Sequence, residues 1–136
     1  MGDTLRLSKH QTLRVVSATP EILEVESTWA PDGDPPQLHF HPAQDEHFEV
    51  FEGELTVEVD GAAQVVETGG EVDVPRGAVH RMWNAGGVTC RARWRITPAR
   101  RTEEMFRYID AGLSPVRTVR LLWRFRHEFR VPIRPR

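Results

Sequence analysis

Between residues 11 and 97 no single pattern lasts: short runs of alternating apolar and polar residues are cut by glycine, proline and aspartate. TLRVV, ILEVESTW, QLHFH, EHFEVFE, ELTVEV, AQVVE, EVDVP, VHRMWN and TCRARWRI suit strands, most of them with the period of two of a half-buried one. The breaks fall at Pro31 to Pro36, Glu52-Gly53, Asp60-Gly61, Gly69-Gly70, Pro75-Arg76-Gly77 and Ala85-Gly86-Gly87. Asp60-Gly61 is a hairpin signal, because a two-residue turn needs positive φ at its central residues. Many short strands can bury their apolar faces only against one another, so the pattern predicts a sandwich or a barrel. A chain of 136 residues has material for one such core and too little for two.

After Pro98 the period changes. Thr102 is placed to cap a helix reaching about Ala111, with Glu103 and Glu104 in the first turn, where the helix dipole favours acids, and Gly112 as its stop. Ser114-Pro115 reads as an N-cap followed by proline at the first helical position. Val116, Val119, Leu122 and Trp123 then fall on one face of a second helix running to about Phe129, with its arginines as the solvated face. The closing VPIRPR is expected to be extended or disordered. The expected organisation is one β-domain over residues 1–100 and a helical tail over 101–136 packed on it.

The net charge of −2 hides an asymmetry: residues 15–75 hold fifteen acids and no lysine or arginine, whereas residues 76–136 hold fifteen arginines and four acids. Glu24 and Glu26 alternate with Leu23 and Val25, as Arg91, Arg93 and Arg95 alternate with Ala92, Trp94 and Ile96. The economical reading sets these two strands side by side with opposite charges on one face. It leaves no need for a nucleic-acid partner. No apolar run is long enough to span a membrane, and the N-terminal pattern leads us to expect no signal peptide. The single cysteine, Cys90, has no partner in the chain, so a cytoplasmic protein is expected.

Residues 39–46, HFHPAQDE, carry the chemistry. On a strand His39 and His41 point to the same face, one strand step apart, and are placed to share a metal ion. Glu46, beyond a short loop, adds a carboxylate, which suits divalent first-row metals. His80, just after the Pro75-Arg76-Gly77 turn, is the candidate for a fourth ligand. His10, His47 and His127 lack such a setting, and Cys90 reads as a small core residue.

Two stretches resemble the two sequence motifs of the cupin superfamily. The first runs from Gly33 through His39, His41 and Glu46 to Gly53, the second from Gly69 through Pro75, Gly77 and His80 to Asn84. The resemblance covers every fixed position of both motifs, at 33–53 and 69–84, and implies a small single-domain cupin. Its fold would be all-β, a double-stranded β-helix (cupin barrel or jelly roll), with short C-terminal helices. It implies one divalent transition metal (manganese, iron, nickel or zinc) held by His39, His41, Glu46 and His80. Such an ion can polarise a carbonyl, lower the pKa of a water or, if iron, activate dioxygen. Small cupins of this kind include dioxygenases and isomerases, often homodimers. Others bind a metal or ligand without turnover, as sensors or accessory proteins.

Strand alternation supplies the expected pocket. Phe48 and Val50 share a face with Glu46, and Met82 shares one with His80. Trp94 and Trp29 turn inward if the neighbouring arginines and glutamates turn out. Leu55, Val57 and Val59 read as barrel filling. An apolar pocket of this kind favours a small aromatic or hydrophobic oxygenated molecule. No further carboxylate or lysine is aimed at the site, so no separate general base is named.

Overall fold

A computed structural model describes residues 3–133. The last three residues of the VPIRPR tail lie outside the described residues, as do Met1 and Gly2. The strands are β1 (Thr4–Arg6), β2 (Gln11–Ala18), β3 (Leu23–Trp29), β4 (Asp45–Glu52), β5 (Glu54–Val59), β6 (Ala62–Glu67), β7 (Glu71–Val74), β8 (His80–Trp83) and β9 (Cys90–Thr97). Helices α1 (Thr102–Asp110) and α2 (Pro115–Arg124) follow. One sheet has the order β1-β2-β3-β9-β4-β7 and the other β6-β5-β8, and the pairings are antiparallel. This is the all-β double-stranded β-helix that the motifs imply, with two short helices at its C-terminal end.

The turn residues act where the sequence places them. Asp60 and Gly61 have φ of 49° and 87°, the two positive angles that a two-residue hairpin between β5 and β6 requires. At Gly53 the chain leaves the larger sheet and enters the smaller one. Its φ is +73°, and a Cβ there would lie 2.4 Å from the Thr89 carbonyl oxygen, so no side chain fits.

Leu23, Val25, Phe48, Val50, Leu55, Val57 and Ala92 are fully buried in one cluster that joins both sheets. Burying one large apolar side chain contributes about 1.5–3 kcal/mol. The charged face of β3 and β9 is arranged as the sequence suggests. Arg91 meets Glu26 at 2.6 Å, and Arg93 and Arg95 meet Glu24 at 2.7 and 3.3 Å. Exposed pairs contribute about 0.2–1 kcal/mol each, so the core supplies the stability and the charges help fix which strands lie side by side.

Three local expectations are corrected. Residues 37–41 form no continuous strand: the segment makes only isolated bridges, His39 to His80 and Phe40 to Arg130. Pro35, Pro36 and Pro42 flank it, and proline cannot donate to a ladder. Thr102 is the first residue of α1 rather than its cap; it is buried, and its hydroxyl accepts a hydrogen bond from the Gln44 amide at 2.7 Å. In α2 the cap is as expected, with the Ser114 hydroxyl accepting from the Arg117 N–H at 3.2 Å. The helix stops at Arg124, however, and the stripe of Val116, Val119, Leu122 and Trp123 faces solvent. Leu121 and Phe125 are buried in its place. An apolar stripe records that a helix is amphipathic, not which neighbour covers it.

Candidate metal centre

His39 and His80 sit opposite each other on neighbouring chain segments, each backbone N–H donating to the other's carbonyl at 3.1 and 2.8 Å. His41 lies two residues beyond His39. Its carbonyl accepts the Gly77 N–H at 2.9 Å, tying the Pro75-Arg76-Gly77 turn to the first motif. Glu46, the second residue of β4, faces the same interior and is 3 % exposed.

The three imidazoles are oriented alike. The Nδ1 atoms of His39, His41 and His80 lie 3.1, 2.8 and 2.9 Å from the carbonyl oxygens of Gln37, Glu128 and Ala78. An imidazole that donates from Nδ1 keeps its lone pair on Nε2, the form that binds a metal. One ring nitrogen from each histidine lies within 4.8 Å of the other two, close to the about 4.2 Å that two ligands with bonds of about 2.1 Å reach across one ion.

Glu46 places its Oε1 3.0 Å from His80 Nε2 and its Oε2 3.1 Å from His41 Nε2. The distances are short, yet His41 Nε2, His80 Nε2 and Glu46 Oε1 are buried without a properly formed hydrogen bond. Lone pairs facing a carboxylate are unfavourable unless a cation lies between them, so this donor set fits a metal ion. The remaining carboxylate oxygen, Oε2, accepts the Trp94 indole N–H at 3.1 Å.

Electrostatics favour the ligating forms of His39 and Glu46, and the protonated form of His41. Burial, then the charges of His80 and His41, hold the His39 imidazolium down to about 4, so this ring is neutral at neutral pH. Burial alone would raise the Glu46 carboxyl, but the charges of His41 and His80 close beside it outweigh this, and its pKa falls well below the usual carboxylate range. For His41, burial opposes the charged form, but the Glu46 carboxylate and the Glu128 carbonyl outweigh it and raise its pKa. A metal entering here would compete with a proton for His41 Nε2.

A cavity of about 200 Å³ opens over the histidines. His39 and His41 line it, with Leu7, Met82, Trp94, Met105, Phe106, Ile109 and Phe129 as apolar walls and Gln11 and Gln37 as polar ones. Of the pocket residues expected from the sequence, Met82 and Trp94 line this cavity. Trp29 lines an adjoining one of about 230 Å³ that shares Gln11, Pro36 and Met82 as walls. Phe48 and Val50 are fully buried behind them, Phe48 stacked on Trp94 with ring centres 5.2 Å apart. The sequence reading missed the walls from α1, from Leu7 and from Phe129. The spacing of Met105, Phe106 and Ile109 marks an apolar helix face but not its target.

Residues 25–95 match the family model described as the cupin domain. An oxidoreductase of Arthrobotrys oligospora is 41 % identical over 56 residues, 40 % of this chain and 22 % of that protein. The tetracenomycin polyketide synthase protein TcmJ of Streptomyces glaucescens is 37 % identical over 60 residues, 44 % of this chain and 40 % of that protein. The matches thus span less than half the length of either curated relative. The structure of KdgF from Halomonas sp. superimposes with a TM-score of 0.68 at 19 % identity, over 74 % of this chain and 90 % of that one, a likeness of fold.

Proposed function

Because the chain belongs to the cupin family, we propose that it binds one divalent transition metal through His39, His41, Glu46 and His80. On this reading it is a metal-dependent enzyme, of dioxygenase or isomerase type, acting on a small, largely apolar or aromatic oxygenated molecule. The observation that carries the proposal is the set of buried, unpartnered ligand atoms: Nε2 of His41 and His80 and Oε1 of Glu46, beneath an apolar cavity. The relatives' names, an oxidoreductase and a polyketide synthase protein, agree with an oxygenated organic substrate.

When bound, the metal supplies Lewis acidity and, if redox-active, electrons. The chain's own groups do the rest. Gln37, Ala78 and Glu128 fix the imidazole orientations through their carbonyls. Trp94 holds the Glu46 carboxylate. Met82, Phe106 and Phe129 exclude water from the cavity and offer an apolar surface to a flat substrate. One observation favours the non-catalytic alternative, a metal- or ligand-binding sensor or accessory protein. Among the described residues lining the cavity, no carboxylate or lysine stands ready as an acid or base. Sustained turnover of any candidate substrate excludes that alternative.

The test is metal content by mass spectrometry on protein purified without a nickel column, beside His41→Ala. Near-stoichiometric manganese, iron, nickel or zinc in the parent, lost in the variant, is expected; no metal in either after reconstitution refutes the proposal. We further propose a cytoplasmic homodimer. The exposed stripe of α2 supports the dimer, with Val116, Val119 and Trp123 65, 69 and 68 % exposed. Sedimentation should show a dimer that Trp123→Glu dissociates, and a monomeric parent refutes it. The free thiol of Cys90 agrees with a reducing compartment, and cell fractionation tests the location. None of the described helices is long and apolar enough to cross a membrane.

A further inference from the structure

We propose that the C-terminal segment from Phe125 to Arg130 is a working part of the metal centre, positioning His41 as a ligand. This rests on the metal-binding reading above. The segment lies outside residues 25–95, the stretch that matches the cupin domain, so the role belongs to this chain's own tail.

Three contacts bring the tail to the site. The Glu128 carbonyl accepts the His41 Nδ1–H at 2.8 Å. One residue before His41, Phe40 and Arg130 exchange both backbone hydrogen bonds at 2.9 Å. Phe129 packs its ring 5.6 Å from that of His39 and lines the cavity over the histidines. The segment is anchored at two points. Phe125 is fully buried, and the buried Glu128 carboxylate pairs with Arg100 at 3.4 Å.

The consequence follows from the two tautomers of imidazole. His41 is 6 % exposed, so water does not readily replace a lost acceptor at Nδ1. With the Glu128 carbonyl in place, the proton stays on Nδ1 and the Nε2 lone pair faces the metal position. Without it, the neutral ring gains by carrying its proton on Nε2, where the Glu46 carboxylate accepts it, and the ligand atom is blocked. The tail therefore selects the ligating tautomer. Coupling of this kind is reciprocal: if tail docking strengthens metal binding, metal binding strengthens tail docking by the same factor.

Co²⁺ serves as the probe, because its visible absorption reports ligand geometry as well as occupancy. In the intact protein, saturating Co²⁺ should slow tryptic cleavage after Arg126 and Arg130, and the same ion should give His41→Ala no such protection. A chain ending at Arg126 should bind Co²⁺ about 10–100-fold more weakly, as when other groups that orient metal-bound histidines are lost, and its absorption bands should shift. Equal affinity and an unshifted spectrum in the shortened chain overturn the tail's role. Should that chain fail to fold, a tryptic rate at Arg126 and Arg130 in the intact protein that ignores Co²⁺ overturns it as well. An intact chain that takes up no Co²⁺ overturns the metal reading itself, and the tail's role with it.

Discussion

Trp94 joins the metal position to the cavity wall. Its indole N–H donates to the buried Glu46 Oε2 at 3.1 Å, and its ring stacks on Phe48. Trp94→Phe keeps an aromatic ring and removes the donor. A hydrogen bond to a charged group contributes about 1.5–3 kcal/mol and a neutral one about 1 kcal/mol. The smaller ring also leaves a void whose cost is not separable in the single variant. A double-mutant cycle with Glu46→Gln removes that ambiguity, because the void is common to both backgrounds. In the parent the substitution costs the void plus about 2 kcal/mol; in the Glu46→Gln background it costs the void plus about 1 kcal/mol. The expected coupling is therefore about 1 kcal/mol, equivalent to about 3–5 °C in Tm for a domain of this size. The assay is urea unfolding of the four proteins in chelator. Trp94→Phe should also weaken metal binding about 10–100-fold, because it frees a ligand carboxylate to rotate. Additivity within about 0.3 kcal/mol, with metal affinity unchanged, would refute the claim that Trp94 orients Glu46.

Gly53→Ala should destabilise the fold by more than the roughly 1–2 kcal/mol of a left-handed residue alone, since the added Cβ meets the Thr89 carbonyl at 2.4 Å; an unchanged Tm would show that the crossing between sheets tolerates a side chain. His47 has its Nδ1 2.6 Å from Asp73 and its Nε2 2.9 Å from Glu71, and the Asp73 hydrogen bond leads a set of contacts that raises its pKa. With the folded pKa above the unfolded one, the stabilisation is full below the ordinary value of about 6.5 and fades as pH rises through the folded value. The stability of the parent relative to His47→Gln should thus shrink from acid to alkaline pH, and a constant difference contradicts the assignment. Burial, followed by the charges of Glu52 and Glu54, pushes the Cys90 thiol up to about 12. The native protein should resist thiol reagents at mildly alkaline pH and react fully once unfolded; rapid native reaction would place the thiol elsewhere.

Much of the fold is legible in the sequence, because a strand writes its two faces into alternate residues. The Glu24 and Glu26 pattern on β3 and the arginines of β9 identified the partner strands, since a charged face finds its opposite. Asp60-Gly61 marked its hairpin because few residue pairs accept two positive φ angles. The spacing of His39, His41, Glu46 and His80 marked a candidate site, and the tertiary structure brings those four side chains together.

Side-chain type at fixed local intervals thus encodes the strands, their turns, the partner faces and the donor residues. The tertiary structure alone decided which helix face is covered, Leu121 and Phe125 rather than Val116, Val119 and Trp123. It also decided that α1 and Phe129 wall the cavity and that the Glu128 carbonyl meets His41. The reason is physical. Amphipathicity records that a face wants burial without naming its neighbour, and a backbone carbonyl is the same at every position, so only the long-range path of the chain determines which one reaches a histidine 87 residues away.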